Sequence, residues 1–183
     1  LLGPVVAAAV IFPKGFSSDL INDSKQLSEK RREEAYQIII DNALAYGVGI
    51  VPPEKIDEIN ILEASRLAMN IAISKLNHQF DIILSDAVML KGYDITVVPI
   101  VKGDAKAQCI AAASILAKVT RDHICYELDK EYPMYDLKNN KGYGTKKHIE
   151  AIKRYGITKY HRLSFKPVTY YKDKIIEKNV ANN

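Results

Sequence analysis

No stretch of this 183-residue sequence approaches the roughly 20 consecutive apolar residues that cross a bilayer, which argues against a transmembrane helix. The apolar run from Ala7 to Phe12 is short, and no basic flank precedes it at Leu1, which argues against a signal peptide. Two cysteines, Cys109 and Cys125, form no CxxC unit, so a reducing, cytoplasmic setting is expected. The four histidines lack HExxH spacing, which makes a zinc site improbable, and no Walker-type glycine loop is present. Repeats, low-complexity tracts and Gly/Ser linkers are absent as well. One globular domain over residues 1–183 is the simplest organisation, and 48% hydrophobic content is adequate for a core.

What is present is unevenly distributed. The net charge is only +4, yet Lys138 to Lys174 holds 11 Lys and Arg against two acids, Glu150 and Asp173. The rest of the chain is therefore net acidic. Such a split suggests a polyanion-binding face over about 138–174 attached to a differently charged body. On composition alone, a solvated lysine-rich surface competes equally. Tyrosines favour the first reading, because Tyr143, Tyr155, Tyr160, Tyr170 and Tyr171 interleave the cations. Aromatic faces stack on sugars or bases while lysines meet phosphates.

Strands are expected over Gly3–Phe12, Tyr46–Val51, Asp81–Ser85 and Thr96–Val101. Ser28 is placed to cap a helix reaching about Tyr46, and Asn60 with Glu63 to open another. The longest helix is expected from Ala105 to about Glu131, and Thr145 to open a shorter one closed by Gly156. Together these predict an α/β fold with a sheet covered by helices. The tail from Tyr170 to Asn183 reads as a helix or a partly disordered stretch and carries no chemistry.

Asp86 and Asp104 each follow an apolar segment at the start of a turn, the place where open α/β sheets gather ligands. Brought together, two such carboxylates suit a hard cation such as magnesium. Singly, Asp104 is equally an N-cap of the long helix and Asp86 a turn former. Asp122 reads as a structural ion pair or a surface carboxylate. Lys25, in Asn22-Asp23-Ser24-Lys25, is a phosphate contact or an ordinary loop lysine. Tyr143 lies between two glycines that can hold its ring exposed, although a core tyrosine fits the same spacing. Thr145 then opens a helix whose N-terminus can attract phosphate. Arg162 is open to a nucleic-acid backbone contact or a structural salt bridge.

Six blocks carry a resemblance: Gly3-Pro4-Val5-Val6-Ala7-Ala8-Ala9-Val10, Asn22-Asp23-Ser24-Lys25, Lys102-Gly103-Asp104-Ala105-Lys106, Ala111 through Asp122, Lys141-Gly142-Tyr143-Gly144-Thr145 and His161-Arg162-Leu163-Ser164-Phe165. In order and kind they resemble ribonuclease HII, from Leu1 to about Val168. The resemblance implies a ribonuclease H-like mixed sheet flanked by helices, with a small helical C-terminal region. It implies a monomer using Mg²⁺ or Mn²⁺ in two-metal hydrolysis. Its substrates would be RNA–DNA hybrids and duplex DNA with embedded ribonucleotides, cut 5′ of the ribonucleotide to leave 5′-phosphate and 3′-hydroxyl ends. Asp86 and Asp104 match two of the family's four acidic metal-site residues. Tyr143 matches the tyrosine that stacks on the sugar at the RNA-to-DNA junction, and Ser24 and Lys25 a loop near the substrate phosphates. Ala87 stands where glycine is more usual, and Asn140 where histidine is common.

The family motif Asp-Glu-Ala-Gly-Arg-Gly falls immediately ahead of the Leu-Leu-Gly-Pro run, where this sequence starts. It brings the other two carboxylates, contacts to the 2′-hydroxyl at the junction, and the central strand. Without that strand two neighbouring edges would lie open. Upstream residues are therefore expected, with a truncated or strand-swapped form as the alternative. The 183 residues alone are expected to bind metal poorly and cleave slowly or not at all. Rival readings are a non-catalytic hybrid-binding module, a different ribonuclease H-like nuclease such as ribonuclease HIII, and an α/β protein acting on small phosphates.

Overall fold

Residues 1–176 are described in the computed structural model, so the tail reading for 177–183 lies outside the described residues. The chain divides into two units. One comprises Leu1–Val5, Val51–Ala64 and the chain from Thr120 onward; the other comprises Val6–Ile50 and Ser65–Val119.

The second of these is α/β. It contains β1 (Val5–Ile11), α1 (Glu29–Asn42), β2 (Ala45–Val51), the later part of α2 (Pro53–Ser74), β3 (Ile82–Asp86), β4 (Thr96–Ile100) and the start of α3 (Gln108–Glu131). Ser28 caps α1 by accepting from the Arg31 amide at 3.3 Å. The helix ends at Asn42, short of Tyr46, because Ala43 turns extended and the chain enters β2. Ala35 and Ile39, one turn apart, meet Ala111, Ile115 and Leu116 of α3 in a buried cluster.

β2 lies very close to α2. A Cβ built on Gly49 would sit 1.9 Å from the Ala68 carbonyl oxygen, and one on Gly47 2.2 Å from that of Ala72. Ala68 and Ala72 are themselves fully buried, so small residues on both elements let the two backbones meet.

The expected mixed sheet is present as two separate pairs, β1 with β2 and β3 with β4. β3 and β4 run parallel, with Asp86 opposite Ile100. Val6 through Phe12 and Ile82 through Asp86 line one cavity of about 580 Å³. Consecutive residues, rather than alternate ones, line it on both strands. The cavity therefore runs along strand edges, since one face of a strand would show only every second residue.

The other unit is built around α5 (Lys146–Tyr155) and a core including Leu2, Tyr135, Leu137, Ile152 and Ile157. Thr145 caps α5 by accepting from the His148 amide, and Gly156 follows it at φ +92°. Buried His148, Ala151 and Ile152 mark its inner face, while Lys146, Lys147, Lys153 and Arg154 are exposed. The basic residues of α5 thus fall on its outer face. α4 (Leu137–Asn140), a single turn, was not foreseen.

Burial holds both core histidines of this unit below the ordinary imidazole range. His148 is pushed down chiefly by burial, and His161 to about 3 by burial and then by His148. The unfolded chain, with histidines near 6.5, then binds more protons than the folded one at any pH between about 3 and 6.5. Stability from these neutral rings is complete above that window and is lost as pH falls through it. Calorimetric unfolding at pH 5 is expected to show net proton uptake and a lower melting temperature than at pH 7; proton release would contradict this.

Candidate functional site

β3 ends on Asp86, which is exposed, and β4 leads through Lys102 (φ +55°) into a 3₁₀ turn, Gly103–Ala105. Asp86 Oδ1 accepts a 2.9 Å hydrogen bond from the Gly103 amide, so this carboxylate is held at the residue next to Asp104. A Cβ on Gly103 would come within 2.7 Å of Ile110 Cδ1, which would have to shift, and would lie 3.5 Å from Asp86 Cα, an ordinary contact. Asp104 is 7% exposed. It does not cap the long helix, the alternative the sequence left open, because the 3₁₀ turn intervenes and α3 begins only at Gln108. Its carboxylate instead faces the Lys25 ammonium at 3.6 Å.

Ala87, the residue after Asp86, has φ +56°. That left-handed conformation is free of penalty only for glycine, which explains physically why the substitution is unusual; alanine there costs about 1 kcal/mol. The chain accepts it with the Ala87 amide bonded to the Ile100 carbonyl at 3.0 Å.

The Ser24–Lys25 loop belongs to the same unit. Ser24 is buried and its hydroxyl meets that of Ser114 on α3 at 3.0 Å. The Asp23 carboxylate accepts from the Lys25 amide at 2.9 Å, a local turn that fixes the loop. Arg32 of α1 donates to the Ser24 carbonyl at 3.1 Å and also to that of Leu27. Lys25 itself is 81% exposed, so its ion pair with Asp104 adds little stability and leaves the ammonium available.

Tyr143 and Arg162 lie in the other unit. The Tyr143 ring is 59% exposed, which excludes the core-tyrosine reading. Lys141 and Gly142 both take positive φ, and a Cβ on Gly142 would meet the Leu2 carbonyl oxygen at 2.5 Å. Asn140 braces this turn, with its side-chain amide donating to the Tyr135 carbonyl and its oxygen accepting from the Gly142 amide at 2.8 Å. Arg121 of α3 donates to the Lys141 carbonyl at 2.7 Å and lies 5.0 Å from the centre of the Tyr143 ring. Sequence reasoning missed both supports. Asn140 had been singled out only as a harmless departure, and nothing local points from Arg121 to Lys141.

Arg162 differs from both readings offered by the sequence. It is 8% exposed, and its guanidinium donates to the carbonyls of Gly3 and Pro4 at 2.9 and 3.1 Å. The buried guanidinium thus supplies donors to two buried backbone carbonyls. Asp57 accepts from the Leu163 and Ser164 amides, each at 2.8 Å, and fixes the following turn. Asp122 is 3% exposed, which removes the surface-carboxylate reading.

Asp86 at the end of β3 and Asp104 on the turn it is bonded to offer hard oxygen donors, a donor set that fits magnesium or manganese rather than a soft metal. Among the described residues, no group of three or more His, Cys, Asp and Glu is placed to hold a metal. Two carboxylates are nonetheless enough protein ligation for magnesium when water and phosphate complete its shell. No helix of the described residues is long and apolar enough to cross a membrane.

The family model for ribonuclease HII matches residues 1–168. A ribonuclease HII from Clostridioides difficile (strain 630) is 55% identical over 165 residues, covering 90% of this chain and 65% of that relative. Another from Endomicrobium trichonymphae is 55% identical over 169 residues, covering 92% of this chain and 80% of the relative. The crystal structure of ribonuclease H2 from Pyrococcus horikoshii OT3 superposes with a TM-score of 0.79 at 28% identity, covering 94% of this chain and 91% of that one. The chain thus spans just under two thirds of the length of the first of these relatives. With the family's blocks in order along the sequence and its fold in the structure, the chain belongs to the ribonuclease HII family.

Proposed function

We propose that this protein is a metal-dependent endoribonuclease that hydrolyses the RNA strand of RNA–DNA hybrids and cuts 5′ of ribonucleotides embedded in duplex DNA. The observation that carries this reading is the docking of the Asp86 carboxylate on the turn that bears buried Asp104. Those two aspartates would hold a divalent cation, Mg²⁺ or Mn²⁺. The bound cation supplies polarisation of water and of the leaving oxygen in a phosphodiester displacement.

The chain's own residues do the rest. Asp86 is oriented by the Gly103 amide, and Asp104 is kept out of bulk solvent, where its charge acts most strongly. Lys25, exposed beside Asp104, would take a substrate phosphate, with Ser24 fixing its loop. Tyr143 would stack on a sugar at the RNA-to-DNA junction, while the exposed lysines of α5 neutralise backbone phosphates. Arg162 would serve indirectly, by fixing the Gly3–Pro4 backbone. The protein would act in the cytoplasm as a monomer.

The test is cleavage by the whole protein of a duplex carrying one ribonucleotide, with Mg²⁺ or Mn²⁺ and an all-DNA duplex as control. Incision 5′ of the ribonucleotide is expected; binding without incision would instead favour the non-catalytic module. Tyr143→Ala is expected to raise KM about tenfold, since a stacked aromatic contributes about 1–3 kcal/mol. An unchanged KM would remove Tyr143 from substrate recognition.

A further inference from the structure

His148 and His161 are buried at 0% and 1% exposure, and their Nε2 atoms lie 3.3 Å apart. Their outer nitrogens settle which way the hydrogens point. His161 Nδ1 accepts from the Thr158 amide at 2.9 Å, so in a neutral ring its hydrogen is on Nε2. His148 Nδ1 faces the Tyr143 carbonyl oxygen at 2.9 Å, and a carbonyl only accepts, so Nδ1 carries the hydrogen there. His148 Nε2 is then bare and accepts from His161 Nε2–H. The result is a one-way chain: Thr158 amide to His161, His161 to His148, His148 to the Tyr143 carbonyl.

Tyr135 encloses the pair, its ring edge-on to His148 at 5.8 Å and to His161 at 5.0 Å. Two polar rings in an apolar core are costly unless each nitrogen is matched, and here each nitrogen has a partner. The chain ends on the backbone of the one strongly exposed aromatic of the glycine-flanked turn. Tyr143 is thereby held at both backbone atoms, its amide by the Asn140 carbonyl at 2.9 Å and its carbonyl by Thr145 and His148.

We infer that His148 and His161 are positioning residues: a two-imidazole relay that fixes the Tyr143 backbone and so sets the direction in which its ring meets the substrate. This rests on the role proposed for Tyr143. The same turn without the relay would keep its fold through Asn140 and Arg121 but would let the ring wander.

Two measurements test it. The first needs no substrate: ¹⁵N chemical shifts of the histidine rings in the whole protein at pH 7. His148 is expected as the Nδ1–H tautomer and His161 as the Nε2–H tautomer. The opposite pattern, or rapid tautomer averaging in either ring, overturns the relay. The second is a double-mutant cycle on KM for the single-ribonucleotide duplex. His148→Leu is expected to raise KM roughly tenfold with kcat little changed. His148→Asn, whose amide can donate from the Nδ1 position, should recover most of that loss. In a Tyr143→Ala background, His148→Leu should add nothing. An equal further increase there would show that His148 acts elsewhere and overturn the inference. Should Tyr143→Ala alone leave KM unchanged, the recognition role of Tyr143 fails, and the tautomer result still decides whether the relay exists.

Discussion

Asp104→Asn is expected to reduce single-turnover cleavage by about a thousandfold or more, equivalent to about 4 kcal/mol of transition-state stabilisation. The substitution keeps the size of the side chain and removes its charge. Its structural cost is expected to be small. Asp104 does not cap α3, and its ion pair among the described residues is to a lysine that is 81% exposed, where solvent screening leaves about 0–1 kcal/mol. The melting temperature should therefore move by no more than about 4 °C. Retained activity would dismiss Asp104 as a ligand, whereas loss of activity through unfolding would show that the carboxylate holds the turn together.

A substitution far from any chemistry should have the largest effect on stability. Gly49→Ala puts a methyl group 1.9 Å from the Ala68 carbonyl oxygen and 2.8 Å from the Ala68 carbonyl carbon. Both are helix backbone atoms, so no side chain can rotate away, and α2 and β2 must separate. Overpacking of this severity costs about 3 kcal/mol. In a chain of this length that lowers the melting temperature by about 6–12 °C. Thermal denaturation checks it, and a fall below about 3 °C would mean that α2 slides past β2 more freely than the packing implies. Activity at low temperature should survive, because the turn bearing Asp104 is not part of this contact.

Features written in local side-chain chemistry were legible in the sequence. Ser28, Thr145 and Gly156 each bound a helix through contacts within a few residues, and they do so in the structure. Asn60 was legible in half. Its Oδ1 accepts from the Leu62 and Glu63 amides as a cap should, at φ +71°. The chain before it is helical too: Pro53 occupies the first helical position, where it lacks no needed amide hydrogen. The alternative of Asp104 as a helix cap, offered by Gly-Asp-Ala before an alanine-rich run, fails because a 3₁₀ turn precedes α3. The 3₁₀ turn is anchored by the Asp86–Gly103 bond, between residues 17 apart in the chain.

The site followed the same division. Asp86 and Asp104 stood out by position and by family resemblance, and Tyr143 by its glycines. The groups that hold them did not stand out. Asn140, Arg121 and the two buried histidines act on backbone atoms brought near only by folding. Arg162 shows the converse: a cation in a basic run reads as a phosphate contact, and only the buried carbonyls of Gly3 and Pro4 reveal otherwise.

Manganese binding to the whole protein, followed by electron paramagnetic resonance in the absence of substrate, probes the carboxylate pair without depending on turnover. Asp86→Asn and Asp104→Asn are each predicted to weaken binding by at least about tenfold while the protein remains folded. Undiminished affinity in both variants would contradict the account, because the cation would then be held by other groups.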